Sequence, residues 1–364
     1  MSLQISSLFK PRRRLAAPVQ ALFAAAGLAA PGWSKLRDIL AAPDVHPTIS
    51  AEAERLLQDS QAALRIADPA AVTARGDAAE RLAFLAISRL LNAPSDATRR
   101  RLFQGLADAQ SPLQALTVER RAGVLVTPQG AWAPVAQAVE EARACFADAR
   151  RSGGANPGKL FMTTAKLPRP LDSQIMALAR HPALLRLIGR YLEGLPILYR
   201  INLLDSANEA LQADSSQFFH VDPEDFRQLK VFMLVEDVDA DSGPLHLLRA
   251  DASDEVRLAR GHRHGRVSDA EVLKLAPQGA LVACTGPSGT LAIGDTSRCF
   301  HFGSRPGARR RHVVMLQYLT PFASVFPLDA RTAPSKYADA LRQRAERDAV
   351  PVGELDANLF GLER

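Results

Sequence analysis

FFHVDPEDFRQLKVFMLVEDVDADSGPLHLL, residues 218–248, is the stretch that decides the fold. Its apolar runs, Leu229 to Val235 and Leu245 to Leu248, are strand-length and are separated by Asp241-Ser242-Gly243-Pro244, a cluster of turn formers. Working outward, the same texture recurs at close spacing. Strands are predicted at Ile197 to Leu204, Ser216 to His220, Gly279 to Cys284, Thr290 to Ile293, Arg298 to Phe302 and His312 to Leu319. A second turn signal, Gly286-Pro287-Ser288-Gly289, lies among them. Many short strands punctuated in this way predict an antiparallel sandwich or jelly roll, not a parallel βαβ sheet. Neither GxGxxG nor GxxxxGK[ST] is present to argue for a nucleotide fold.

The flanks read differently. Residues 1–118 are rich in Ala, Leu, Arg and Glu, with apolar positions at three- and four-residue steps, as in Leu82, Leu85, Leu90 and Leu91. Asp77 and Glu80 have capping-box spacing, and Pro94-Ser95 opens the next helix. We expect a helical N-terminal region over 1–118 that packs on the rest or forms dimer contacts, a β-rich domain over 119–325 and a helical tail over 326–364. Within the middle part, Val124 to Val126 reads as a strand and Pro134 to Ala149 and His181 to Glu193 as helices.

Composition excludes several classes. With 364 residues and 47% hydrophobic residues the chain can bury a core, and no apolar run approaches the roughly 20 residues that cross a bilayer. The net charge of +6 is spread in short clusters, Arg12 to Arg14, Arg99 to Arg101 and Arg309 to Arg311, without interleaved aromatic residues for base stacking. That argues against a nucleic-acid partner. Cys145, Cys284 and Cys299 form no CxxC pair, so neither a disulfide scaffold nor a thiolate zinc site is expected, and a cytoplasmic setting fits. Lys10 and Arg12 to Arg14 before Leu15 to Ala30 imitate a signal peptide, but Pro18 and Gln20 interrupt the apolar stretch and we read it as a helix.

Of the eight histidines, only His220 begins a His-x-Asp. On an extended strand residues two apart share a face, so His220 and Asp222 can offer an imidazole nitrogen and a carboxylate oxygen to one ion. His301, on another predicted strand, is the candidate for the third ligand. Two His and one carboxylate leave coordination positions open, the arrangement of non-haem Fe(II) oxygenases. A 2-oxo acid can fill two of them while a buried guanidinium grips its distal carboxylate.

These residues carry a family resemblance. HPALLRLIGRYLEGLPILYRINLL (181–204), the stretch 218–248 and RCFHFGSRPGARRRHVVMLQYL (298–319) resemble the phytanoyl-CoA dioxygenase family of Fe(II)/2-oxoglutarate-dependent oxygenases over about residues 120–322. The resemblance implies an α+β protein with a double-stranded β-helix (jelly-roll, cupin-like) core. It further implies a dioxygenase that takes Fe(II), 2-oxoglutarate and O2, converts 2-oxoglutarate to succinate and oxidises, most simply hydroxylates, a small-molecule substrate. His220, Asp222 and His301 would ligate iron. Arg311 would hold the distal carboxylate of 2-oxoglutarate, with Arg309 as the fallback and Ser304 assisting. Phe232 would wall the cavity and a loop over 250–270, with His262, Arg263, His264 and Arg266, would act as a lid. The chain departs from the family at Leu247-Leu248-Arg249-Ala250-Asp251, where a Pro-Gly-Ser-His turn is usual, and its Arg lies ten residues past the distal His instead of about eleven. Two other readings stand beside this one: a non-catalytic ligand-binding member of the fold, and a nucleic-acid-associated protein using the basic N-terminal region. Asp222 disfavours halogenation, which needs the carboxylate's coordination position.

The remaining candidates have plainer expectations. His46 and His181, each before Pro, read as turn or helix-start residues, and Asp295 as a turn residue. His246 alternates with Leu245 and Leu247 and so points away from them. Cys299, two before His301, shares its side if that strand is regular.

Overall fold

The computed structural model describes residues 88, 92, 95–128, 132–152, 156–159, 162–207, 216–260, 265–326 and 335–362. The expected helices before residue 88, the Asp77/Glu80 cap, His46 and the signal-like stretch lie outside them.

The strands are β1 Val124–Val126, β2 Asn156–Lys159, β3 Met162–Ala165, β4 Ile197–Ser206, β5 Gln228–Leu234, β6 Leu245–Leu248, β7 Leu281–Cys284, β8 Leu291–Gly294, β9 His301–Phe302 and β10 Arg311–Leu319. They form a seven-stranded sheet in the order β1-β8-β5-β10-β4-β3-β2 and a three-stranded sheet in the order β7-β6-β9. Every pairing between them is antiparallel. The strands expected at 197, 229, 245, 279, 290 and 312 are present with ends moved by no more than two residues.

The large sheet has two unlike faces. Val314, Leu316 and Tyr318 of β10, Val231 and Met233 of β5 and Leu203 of β4 point outward, where they join one core with the flanking helices. Helix Ala133–Arg151 starts with Pro134 in its first turn and buries Val135, Ala138, Val139, Ala142 and Phe146, a three- to four-residue stripe. Helix Pro182–Leu192 is capped by His181, whose Nδ1 accepts from the Ala183 amide, and ends at Glu193 in the left-handed conformation. His181 is thus a helix-start residue. Leu106, Leu113 and Val118 on one side of the chain and Tyr337, Leu341, Leu359 and Phe360 on the other join the same core.

The opposite face carries Arg311, Val313, Met315 and Gln317 of β10. Register places them beside Leu234, Phe232 and Lys230 of β5 and beside Ser206, Leu204, Asn202 and Arg200 of β4. Against this face packs the small sheet, through a cluster of Leu245, Leu247, Cys284 and Ala292 with Val124, Val126 and Phe232. A Cβ on Gly294 would stand 2.8 Å from Leu247 Cδ1, so the two sheets close only over a glycine.

Two expectations need correction. The lid expected over 250–270 as a loop is largely helical: Ala250–Ala259 and Asp269–Leu275 are helices, and Ala252, Val256 and Val272 pack on Leu248, Phe300 and Phe302. His262, Arg263 and His264 lie outside the described residues. The strands expected at Ser216 to His220 and Arg298 to Phe302 shrink to bridges at Phe219 and His220 and to His301–Phe302. Arg298 and Cys299 instead send their amides back to the Asp295 carbonyl in a turn. Cys299 therefore does not share a strand face with His301. Its Sγ rests on the 122–123 backbone in the apolar cluster, and burial raises its thiol well above the usual range, the behaviour of a small hydrophobe.

Candidate metal centre

The sequence brings three ligand-type side chains from separate segments to one place. His220 and His301 face each other as an antiparallel bridge, with His220 N donating to His301 O (3.1 Å) and His301 N donating to His220 O (2.9 Å). Two residues on, the Asp222 amide donates to Thr296 O at 2.7 Å, tying the carboxylate-bearing segment to the turn that precedes His301. The ring centroids of the histidines are 4.2 Å apart. One ligand atom from each of His220, Asp222 and His301 lies within 4.8 Å of the other two, and this is the one such His/Asp group found among the described residues.

The outer hydrogen bonds choose the tautomers. His220 Nδ1 is 2.9 Å from Phe218 O and His301 Nδ1 is 3.0 Å from Cys299 O. A carbonyl can only accept, so both rings carry the proton on Nδ1 and present the Nε2 lone pair. Those Nε2 atoms lie 3.8 Å (His220) and 3.3 Å (His301) from Asp222 oxygens. Burial, and next the charge of His301, push His220 down to about 3, so it is neutral at physiological pH as a metal ligand must be. Burial would raise the Asp222 carboxyl, but the Lys230 ammonium and then His301 hold it well below the usual carboxylate range. The donor set of two imidazole nitrogens and one carboxylate oxygen, almost wholly buried, can hold a divalent ion such as iron.

Lys230 is the residue that sequence reasoning missed. It sits on the inward face of β5 with Nζ 2.7 Å from Asp222 Oδ2 and 3.9 Å from Glu224 Oε1. The signal was available: a single charged residue inside the apolar run Leu229 to Val235 must either ruin the strand or serve a partner.

Further along the same face Arg311 is 7% exposed. Its Nη2 donates to Ser304 Oγ at 3.1 Å, its Nε has no partner, and among the described residues no carboxylate pairs with it. Burial lowers the guanidinium to about 10, which leaves it charged at neutral pH. Ser304 is held in place at φ 57° by its own contacts, its Oγ 2.8 Å from Ser206 Oγ and its carbonyl accepting from Gln217 Nε2. Gly303 lies beside the guanidinium, where a Cβ would stand 3.4 Å from Nη2. Arg309, by contrast, is about half exposed and ion-paired to Asp239 on the surface.

The other named residues fall as follows. Phe232 is half-buried on the inward face beside Met315. His246 lies on the far side of β6 from Leu245 and Leu247, stacked on Phe302 at 4.7 Å, outside the metal cluster. Asp295 is a turn residue, fully buried, accepting from Tyr191 Oη (2.7 Å) and Ser297 Oγ (2.6 Å). Arg266 is exposed, near enough for its charge to disfavour protonation of His220.

No protein-family model and no curated protein matches the chain. Among solved structures it is similar to EctD from S. alaskensis with 2-oxoglutarate and 5-hydroxyectoine (18% identity over 58% of this chain and 76% of that one, TM-score 0.40). It is similar also to the non-haem alpha-ketoglutarate-dependent carbocyclase SnoK from nogalamycin biosynthesis (15% identity over 68% and 98%, TM-score 0.41). A third is AviO1 from Streptomyces viridochromogenes (14% over 64% and 98%, TM-score 0.39). EctD has also been crystallised with bound iron. No described helix is long and apolar enough to cross a membrane.

Proposed function

We propose that this chain is a non-haem Fe(II)/2-oxoglutarate-dependent oxygenase that oxidises a small molecule, built on a jelly-roll core of the phytanoyl-CoA dioxygenase type. The observation that carries the reading is a pairing: a buried His220/Asp222/His301 donor set and, on the inward face of the large sheet, a buried Arg311 that no carboxylate among the described residues pairs with. A charged guanidinium out of water without a carboxylate costs several kcal/mol, so its place is best explained by an anionic ligand that arrives from outside.

The residues divide the work. His220 and His301 give Nε2 atoms already oriented by their carbonyl partners, and Asp222 gives the charge. Iron bound there, with 2-oxoglutarate, supplies the oxidising power for O2 chemistry. Arg311, beside Ser304, would hold the distal carboxylate of 2-oxoglutarate by a charge-assisted contact. Arg309 stands aside, committed to Asp239 at the surface. Phe232 and Met315 between the two sites keep bulk water from the reacting centre.

The test is an anaerobic titration of metal-free protein with Fe(II) and then 2-oxoglutarate, following the visible charge-transfer band, with His220→Ala as control. A band saturating near one equivalent in the wild type and missing in the variant is expected. No band from correctly folded protein overturns the reading in favour of a barrel that only binds a ligand.

A further inference from the structure

The inward face holds a second polar group that the iron and 2-oxoglutarate reading leaves unused. Lys230, Gln317 and Arg200 occupy adjacent positions on β5, β10 and β4, in direct register. At about 4.8 Å between neighbouring strands the row spans about 10 Å, starting beside Asp222 and ending at Arg200. Arg311 lies six residues away along β10, at the opposite end of the face.

Only the Arg200 end of the row reaches solvent, since Lys230 and Gln317 are buried. On β4 the outward residues Leu198 and Leu203 are almost fully buried, whereas Tyr199, Arg200, Asn202 and Leu204 are only half-buried. Every residue of β10 is buried, and Ile197 and Leu319 pack with Ala323, Phe326 and Tyr199 beyond the row, so among the described residues the row meets solvent from its β4 end.

The chemistry of the row is specific. Arg200 lies over the Tyr199 ring, 4.5 Å from its centroid, where a bulge in β4 puts both side chains on one side. This contact holds the guanidinium in place. Arg200 Nε is buried without a partner, and among the described residues no carboxylate pairs with the guanidinium. Gln317 is fully buried. Its Nε2 donates to Gln228 Oε1 at 2.6 Å, which leaves its own Oε1 with no donor. Lys230 meets Asp222, a carboxylate that the metal claims, and Glu224 only at 3.9 Å. With Asp222 committed to the ion, two cations face one carboxylate. The row thus lacks one anionic acceptor for Arg200 and one donor for Gln317.

We infer that this row is the substrate subsite and that the substrate is a small organic acid bearing a hydroxyl or amino group next to its carboxylate. The carboxylate meets Arg200, with Lys230 adding charge from the metal side. The neighbouring donor meets Gln317 Oε1. Bound in this way, the acid is held by one end and presents its carbon chain toward the metal ligands. The inference rests on the oxygenase reading for what happens next, but the binding itself does not need iron.

The experiment therefore measures binding to metal-free protein by calorimetry, with short 2-hydroxy acids and 2-amino acids, each beside its primary amide, on the wild type, Arg200→Gln and Arg200→Lys. At least one acid is expected to bind about tenfold more tightly than its amide, the worth of a charge-assisted pair. That preference should vanish in Arg200→Gln and return in part in Arg200→Lys. No acid outbinding its amide, or a preference that persists in Arg200→Gln and so belongs to Arg311, overturns the inference. An Arg200-dependent preference in a wild type that gives no iron and 2-oxoglutarate band would keep the subsite and remove the oxygenase. A band without the preference would do the reverse.

Discussion

The two faces of the large sheet are made by the same strands and behave as opposites. Outward, Val314, Leu316 and Tyr318 alternate along β10 and meet only apolar neighbours, apart from the Tyr318 hydroxyl, which donates to Ala179 O. Inward, Arg311 and Gln317 of the same strand are equally buried yet keep polar atoms with nothing to bond. The difference teaches where the chain spends stability: the outward face is satisfied by folding, and the inward one keeps Arg311 Nε and Gln317 Oε1 without partners.

Removing Asp222 breaks that comparison most completely. Asp222→Ala takes the charged oxygen from the donor set, so Fe(II) binding followed by titration should be abolished, while secondary structure by circular dichroism stays. Retained stoichiometric iron binding would place the metal elsewhere. Next in size, Arg311→Met should weaken 2-oxoglutarate by about 100-fold, the loss of two charge-assisted bonds. Iron binding should hardly change. Because the guanidinium is buried with no carboxylate paired to it among the described residues, the same substitution should leave thermal stability of the ligand-free protein unchanged or raised. A clear drop in the melting temperature would mean that the inward arginine is a structural one after all.

On the outward face the signs reverse. Leu316→Ala opens a void in a close-packed core and should cost about 2–5 kcal/mol in denaturant unfolding. The protein that remains folded should bind iron and 2-oxoglutarate as before. If both ligands weaken in step with stability, the faces are less separable than their packing implies.

The legibility of the sequence follows the same division. His220 and Asp222 were paired by the two-residue period of a strand, and His301 and Arg311 were named beside them with the help of the family resemblance; the structure brings the first three together. The outward core was readable by the same period. Lys230 was missed because a strand states which side a residue faces but not what stands opposite it, here Asp222. The helix Ala250–Ala259 was taken for part of a lid loop on the strength of the family resemblance. Its Ala252 and Val256 are buried against Leu248 and Phe300. Cys299 was placed on a strand by simple alternation, and the Asp295 turn, held by its backbone bonds, curls the chain there instead.

That turn is the point at which the two faces touch. Tyr191, on the helix Pro182–Leu192, donates from the outward core to the buried Asp295 carboxylate at 2.7 Å. The turn that Asp295 opens gives Thr296 O to the Asp222 amide and leads directly into His301. Tyr191→Phe removes one donor from a buried carboxylate that keeps the Ser297 hydroxyl and amide. It should cost about 1–2 kcal/mol of stability. If the turn transmits position to the ligands, Fe(II) affinity should also fall by roughly threefold, a small fraction of the 10- to 100-fold typical for groups that bond a ligand directly. An unchanged iron affinity at reduced stability would show that the backbone bonds of the turn alone hold Asp222 and His301 in place, and that the outward face supports the metal centre without steering it.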